Sequence, residues 1–285
     1  MTEPGEGKYI KALEEIVSLA ISEDLGDRGD ITSEAVIPAG ARGAAVIIAR
    51  EPCTISGMAA GAECCRQVDP HMVWLPLVDD SQIVPAGAQI ARLEGAMRSI
   101  LAAERTIINF ISHLSGIATL TGRFNAELEG HAARIAATRK TSPGMRLLEK
   151  QAVADGGGET HRQGLYDAIL IKDNHIAAAG SVSATIERVR RALGDDIAIE
   201  VEVDTRQQLE EVLESGADRA LLDNMSPDQV RDCVKLAAGR LIIEVSGGIT
   251  LANVRDYAET GAEIISTGAL TMSAPAMDFS LEITQ

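Results

Sequence analysis

Two patterns of apolar and polar positions divide the chain. Near its start, positions 13–20 carry apolar residues at helical spacing, and the acidic Glu23-Asp24-Leu25-Gly26-Asp27 follows as a turn-rich stretch. Short β-like runs come next, at 44–49, 73–77 and 89–93, with Pro85 and Gly87 marking a tight turn between strands. From 96 to about 125 the apolar positions form one long helical face without proline. This front part reads as an α+β domain.

From residue 132 the rhythm changes, and short apolar runs alternate with helical periods. Strands are predicted at 133–138, 167–172, 197–203, 219–223, 241–245 and 263–267. Helices are predicted between them at 145–154, 182–193, 206–215, 227–238 and 251–260, with Thr205, Ser226 and Thr250 as N-caps. The last four strands start 22 residues apart, which is a βα repeat. Continuous apolar strands alternating with helices imply a parallel sheet covered by helices.

The polar residues decide between an open sheet and a barrel. They gather at the C-terminal end of almost every strand: Arg139-Lys140, Lys172 through His175, Glu202 with Asp204, Asp223-Asn224, Ser246-Gly247-Gly248 and Thr267-Gly268. An open sheet uses mainly the strand ends at its switch point, whereas a barrel brings all of them to one rim. A six-stranded, partial α/β barrel is therefore predicted, short of the usual eight strands.

Composition narrows the function. Hydrophobic content is 46% but aromatic content only 2%, so the core is aliphatic and base-stacking platforms have little material. The 26 Lys and Arg against 42 Asp and Glu give a net charge of −16, which disfavours nucleic-acid and membrane partners. The cysteines, Cys53, Cys64, Cys65 and Cys233, form no C-x-x-C pair, so buried thiols in a reducing cytoplasm are expected. No secretory signal and no apolar run near the roughly 20 residues of a membrane span is read.

The charge is not evenly spread. From His131 to His175 there are seven Lys or Arg and five Asp or Glu, so this window carries +2 and the remainder −18. Any single Arg or Lys is commonly a surface ion pair, the reading preferred for Arg146 and Lys150. At strand ends, Arg139, Lys140, Arg162 and Lys172 instead outline an anion site. Arg139, Arg162 and Arg105 offer forks that match a ligand with several carboxylates, and Lys140 and Lys172 offer point charges for pyrophosphate or developing charge. Lys172 alone equally fits a Schiff-base lyase. The Gly156–Gly158 run reads as a helix break that admits a ligand to the backbone. His161 beside Arg162 reads as a hydrogen-bond donor to substrate rather than a metal ligand. The Ser246–Gly248 and Thr267–Gly268 loops, on the last two strands, read as a phosphate cradle of backbone N–H groups and helix N-termini. Glu202 and Asp223 fit sugar hydroxyls, indirect Mg²⁺ binding or a cationic transition state, and alternation leaves open which of Glu200, Glu202 and Asp204 faces the ligand.

These residues, in order and spacing, resemble the quinolinate phosphoribosyltransferases, also called carboxylating nicotinate-nucleotide pyrophosphorylases. The likeness runs from Glu23–Asp27 and Asp30–Ser33 through Ala103–Thr106 and Leu114–Thr119. It is tightest in Thr138–Thr141, Gly156–Arg162 and Leu170–His175, and continues through Glu200–Asp204, Leu222–Asn224, Ser246–Ile249 and Gly268–Thr271. Ala137 and Met272 depart from residues common in that family. The resemblance implies an N-terminal α/β sandwich over 1–118, completed by about 272–285, beside a partial α/β barrel over 119–271. It implies a cytoplasmic homodimer or higher homo-oligomer, each N-terminal domain covering the partner's barrel. It implies that quinolinate and phosphoribosyl pyrophosphate become nicotinate mononucleotide, pyrophosphate and CO₂, in NAD biosynthesis. By resemblance, Arg139, His161, Arg162 and Lys172 bind quinolinate with Arg105 from the partner chain. Lys140, Lys172, Glu202 and Asp223 are the catalytic and phosphoribosyl-pyrophosphate contacts. Ser246, Gly247, Gly248, Thr267 and Gly268 cradle the 5′-phosphate. Mg²⁺ is held mainly through the pyrophosphate, near Glu202 and Asp223. A non-catalytic nucleotide-binding relative is the remaining alternative.

Overall fold

The computed structural model describes residues 6–284. The chain runs through α1 (Glu6–Leu25), α2 (Ile31–Val36), β1 (Arg42–Ala49), β2 (Cys53–Thr54), α3 (Met58–Val68), β3 (Val73–Pro76), β4 (Ile83–Val84), β5 (Gln89–Ala96) and α4 (Met97–Glu127). It continues with β6 (Arg134–Ala137), α5 (Arg146–Asp155), β7 (Ile169–Ile171), α6 (Asp173–Ala179), α7 (Val182–Leu193), β8 (Ile199–Val203), α8 (Arg206–Leu213) and β9 (Arg219–Asp223). Then come α9 (Pro227–Ala237), β10 (Ile242–Ser246), α10 (Val254–Ala258), β11 (Ile264–Thr267), α11 (Ala269–Met272) and β12 (Phe279–Thr284). Contacts divide the described residues into two units: 6–122 with 141–157 and 273–284, and 123–140 with 158–272.

The first unit is built on an antiparallel sheet of order β12-β1-β5-β3. The last strand of the chain thus pairs with the first, Ile47 opposite Leu281, and β1 pairs with β5 on its other edge. Ala45, Ile47, Ile90 and Leu93 are fully buried, in keeping with an aliphatic core. The acidic stretch expected as a turn from Glu23 is still helical to Leu25, and Asp30 then caps α2 by accepting from the N–H groups of Thr32 and Ser33. Helix α3 lies outside the predicted elements and buries Cys64 and Cys65.

The second unit is an all-parallel sheet of order β6-β11-β10-β9-β8-β7. Each strand pairs with its successor except the first, which pairs with the last, Thr267 opposite Ala137. Among the described residues β6 and β7 share no ladder, so the cylinder is open there. On β8 the pleat sends Ile199, Val201 and Val203 toward the helices and Glu200 and Glu202 inward. Thr205 and Ser226 cap α8 and α9 as expected. The helix predicted at 251–260 is shorter, because Thr250 to Asn253 form turns and only Val254–Ala258 is α-helical.

The opening follows a helix that belongs to the first unit. Helix α5 follows β6, where a barrel would place a covering helix, but its contacts belong to the first unit, against α1. It buries Leu148, Glu149, Lys150, Ala152 and Val153. The Lys150 side chain is wholly buried, which replaces the surface ion pair expected for it. Gly156, expected to approach a ligand, instead approaches α4: a Cβ there would lie 2.3 Å from the Ala118 carbonyl oxygen.

Candidate active site

A pocket of about 340 Å³ lies at the C-terminal ends of the parallel strands. All six strands reach it: Ala137 through Lys140 from β6, Leu170 and Lys172 from β7, Glu202 from β8, Leu221 and Asp223 from β9, Glu244 and Ser246 from β10, and Ser266 from β11. His161 and Arg162 complete the wall. Because residues from all six strands line this one pocket, the sheet curls and its strand ends share one mouth.

The free edge of β6 explains how His161 and Arg162 get there. Ala137 N donates to the Glu159 carbonyl and Glu159 N to the Ile135 carbonyl, both at 2.8 Å. The segment after the glycines therefore satisfies the edge that no strand covers and delivers His161 to the pocket. His161 has φ 49°, a left-handed conformation rare outside glycine and Asn. Beyond Arg162, the Asp167 carboxylate accepts from Gln163 N at 2.6 Å and Gly164 N at 3.0 Å, closing the loop.

Arg162 shows the character of the wall. Burial lowers the stability of its charge, and the adjacent Arg139 charge acts in the same direction. Two guanidinium charges that act on each other in one pocket suit an anionic ligand. Lys172 donates from its ammonium to the Glu202 carboxylate, so cation and anion from neighbouring strands meet at the mouth. The Lys172 backbone N–H donates to His175 Nδ1 at 2.9 Å, which makes His175 a capping residue for α6 and not a pocket group. The Asp223 carboxyl is raised by burial and by the charges of Glu202 and Asp204, against the pull of Lys172 and Lys140.

Beneath these lies a cluster that the sequence reading missed in part. His161 Nε2 is 3.1 Å from Glu244 Oε2 and 3.5 Å from Glu200 Oε2. Its side chain is 14% exposed, against 7% for Glu200 and 3% for Glu244. Hydrogen bonds and charge from both carboxylates raise His161 to about 9 despite its burial. Burial raises the Glu200 carboxyl, and the Glu244 charge adds to that. Burial alone would raise Glu244 too, but His161 outweighs it and holds the carboxyl low, consistent with the shorter contact. Glu244 was legible as a lone acid in the apolar run Ile242–Ser246, on the same face as Ser246.

The two loops expected to cradle phosphate follow β10 and β11. Ser246 lines the pocket, while Gly247, Gly248, Thr267 and Gly268 lie outside its lining. The Thr267 hydroxyl donates to the Ile249 carbonyl at 2.8 Å and accepts from Ala269 N at 3.1 Å, so it joins the two loops. α10 has only five residues and starts six positions after Gly248, and α11 has four, so helix dipoles add little here. Backbone N–H groups are what the loops offer. Gly247, at φ 99°, packs so close that a Cβ would lie 2.3 Å from Asn224 Oδ1. Arg105 is exposed on α4, in the other unit, and is not a lining residue.

Models of two protein domains match the chain in order: "Quinolinate phosphoribosyl transferase, N-terminal domain" over residues 30–115 and "C-terminal domain" of the same over 117–282. A probable nicotinate-nucleotide pyrophosphorylase (carboxylating) of Bacillus subtilis is 40% identical over 95% of this chain and 93% of that protein. The chloroplastic enzyme of that name from Oryza sativa is 40% identical over 95% of this chain and 77% of its own length. The nicotinate-nucleotide pyrophosphorylase structure from Francisella tularensis superposes with TM-score 0.92 at 36% identity, covering 99% of this chain and 98% of that one. With both domain models matched and relatives at this identity, the chain belongs to the quinolinate phosphoribosyltransferase family.

Proposed function

We propose that the pocket carries out the family's reaction, joining quinolinate to phosphoribosyl pyrophosphate and releasing pyrophosphate and CO₂ to leave nicotinate mononucleotide, a step of NAD biosynthesis. The supporting observation is the convergence of Arg139, His161, Arg162, Lys172, Glu202 and Asp223 on one pocket. Paired guanidinium groups suit a dicarboxylate, and the carboxylates suit a sugar that becomes cationic. The pyridine nitrogen forms a bond to the anomeric carbon while the carbon–oxygen bond to pyrophosphate breaks, the electron pair leaving with pyrophosphate. The 2-carboxylate then departs as CO₂. The electrons of its carbon–carbon bond are stabilised by the positive ring nitrogen until a solvent proton replaces the lost group.

Positioning of both substrates in one pocket supplies much of the acceleration. Lys140 and Lys172 take up the leaving-group charge, and Ser246 with the Gly247, Gly248, Thr267 and Gly268 loops holds the 5′-phosphate through backbone N–H groups. The carboxylate crowding that raises Asp223 fits a divalent cation nearby. Glu202 and Asp223 are the residues that would hold Mg²⁺ near the pyrophosphate, where it would neutralise leaving-group charge.

The reading includes a homodimer or larger assembly in which Arg105 of the partner subunit reaches the quinolinate site; its exposure on α4 supports this. It includes a cytoplasmic setting, supported by free, buried Cys53, Cys64, Cys65 and Cys233. No helix among the described residues is long and apolar enough to cross a membrane.

The test is direct. Purified protein with quinolinate, phosphoribosyl pyrophosphate and Mg²⁺ releases CO₂ and nicotinate mononucleotide in equal amounts. No product between pH 6 and 9 overturns the reading, and borohydride trapping of Lys172 with a carbonyl compound would point to a lyase instead. An R105A subunit mixed with an R139A subunit regains activity if sites are shared between chains. No regain, with subunit exchange demonstrated, removes Arg105 from the site.

A further inference from the structure

The floor of the pocket holds more acid than the reaction uses. Glu200 and Glu244 come from β8 and β10, strands separated by β9, yet both carboxylates meet at one atom, His161 Nε2. Both are almost fully buried, a costly placement unless their charge has a task. His161 is a poor candidate for a ring that orients itself. It sits on a loop, at a left-handed backbone position, at the free edge of the sheet.

We propose that Glu244 is a positioning residue that, with Glu200, grips His161 by Nε2 and presents its Nδ1–H to a carboxylate of quinolinate. The inference rests on reading His161 as a quinolinate contact. The division of labour follows from distance. Glu244, at 3.1 Å, accepts from Nε2–H and carries the charge that keeps the imidazole cationic. Glu200, at 3.5 Å, shares a hydrogen bond with Glu244 and widens the seat. Its Oε1 is buried and makes no hydrogen bond among the described residues, so Glu200 has no competing structural bond there. The Ser266 hydroxyl also bonds Glu244, tying the seat to β11. Three of the strands that form the mouth, β8, β10 and β11, thereby fix the direction of one loop residue. The other charged groups lining the pocket are Arg139, Lys140, Arg162, Lys172, Glu202 and Asp223.

The same three side chains place donor atoms within 4.8 Å of one another, a set that could also ligate a metal ion. Metal occupancy and a positioning role predict different results, which makes the proposal testable.

The experiment compares H161A, E244Q and E244D in the full-length enzyme, measuring the dissociation constants of quinolinate and of phosphoribosyl pyrophosphate separately, with thermal melting as a control. The expected result is that E244Q weakens quinolinate about 10–100-fold, the effect of losing a charge-assisted hydrogen bond. It leaves phosphoribosyl pyrophosphate within about twofold, because the change is confined to the His161 seat. E244D, which restores the charge one methylene back, recovers part of the loss. H161A unchanged in quinolinate affinity overturns the reading of His161 itself. H161A weakened with E244Q unchanged overturns only the positioning role. Equal weakening of both substrates in E244Q marks a merely structural acid. If E244Q melts too low to assay, E244D alone decides: wild-type quinolinate affinity despite the shortened reach overturns the proposal. A stoichiometric transition metal in the purified protein, whose chelation abolishes quinolinate binding, assigns the cluster to metal and also overturns it.

Discussion

Lys172, at the end of β7, and Glu202, on β8, join side chain to side chain across neighbouring parallel strands at the mouth of the pocket. The pair joins a cation and an anion that line the same pocket. K172A should lower kcat/KM for quinolinate about 10–100-fold, as expected for a hydrogen bond between charged groups. E202Q should lower it as well, and the double variant should fall short of the product of the two losses, because contacting residues are coupled. Steady-state kinetics on the four proteins of the cycle checks this; full multiplicative losses would show that Lys172 and Glu202 act independently.

Arg162 shares the pocket with Arg139, and a planar guanidinium fork can pair with a carboxylate in a way that a point charge cannot. R162A should weaken quinolinate by about 2–5 kcal/mol, since a buried carboxylate loses its partner. R162K keeps the charge but not the fork, and should recover only a small part. Calorimetric titration separates these outcomes, and wild-type affinity in R162K would show that charge alone suffices.

Two glycines should respond differently to alanine. At Gly247 the new Cβ would meet Asn224 Oδ1 at 2.3 Å and the Asn224 backbone N at 2.7 Å, at a φ of 99°. Backbone does not yield, so G247A should shift the loop and raise KM for phosphoribosyl pyrophosphate at least about tenfold, a strain of order 1–3 kcal/mol. At Gly268 the obstruction is Lys140 Cδ at 2.8 Å, the middle of a flexible side chain. G268A should fold almost normally and chiefly displace Lys140, lowering kcat more than stability.

The pH dependence of quinolinate binding should bear the mark of His161. Its native value, raised to about 9 by Glu200 and Glu244, exceeds the ordinary 6.5. A raised histidine contributes stability that is complete below about 6.5 and is lost as pH climbs through about 9. Quinolinate affinity should therefore hold steady from pH 6.5 to about 8.5 and fall above it, with the fall abolished in H161A. A midpoint near 6.5 would mean that the two carboxylates do not hold the proton.

In the first unit, the Glu149 side chain is completely buried, 2.9 Å from His113 Nε2, and accepts from Ser142 N at 3.1 Å. E149A would strand that N–H and the imidazole. It should cost about 1–3 kcal/mol by denaturant titration, the penalty for a buried unsatisfied donor. An unchanged midpoint would show that water replaces the carboxylate without loss.

Sequence alone determined a good deal. The 22-residue βα spacing, the apolar strands and the polar strand ends gave six parallel strands with their chemistry at one rim, because periodicity and strand polarity are local properties. Arg139, Lys140, Lys172, Glu202 and Asp223 were legible for the same reason, each being a charge at the end of an apolar run, whereas Arg162 sits in the loop after the glycine run and not at a strand end. Only the tertiary structure decided where the cylinder opens. Helix α5 has the pattern of a covering helix, and its departure to the first unit depends on partners distant in sequence. It likewise decided that Gly156 serves a helix contact and that the last two loops are joined by Thr267 instead of being headed by long helices. Glu200 and Glu244 lie 44 positions apart and acquire meaning only when β8 and β10 flank β9 in the curled sheet, with His161 brought to both carboxylates by a loop. No local pattern records a distance across the inside of a cylinder.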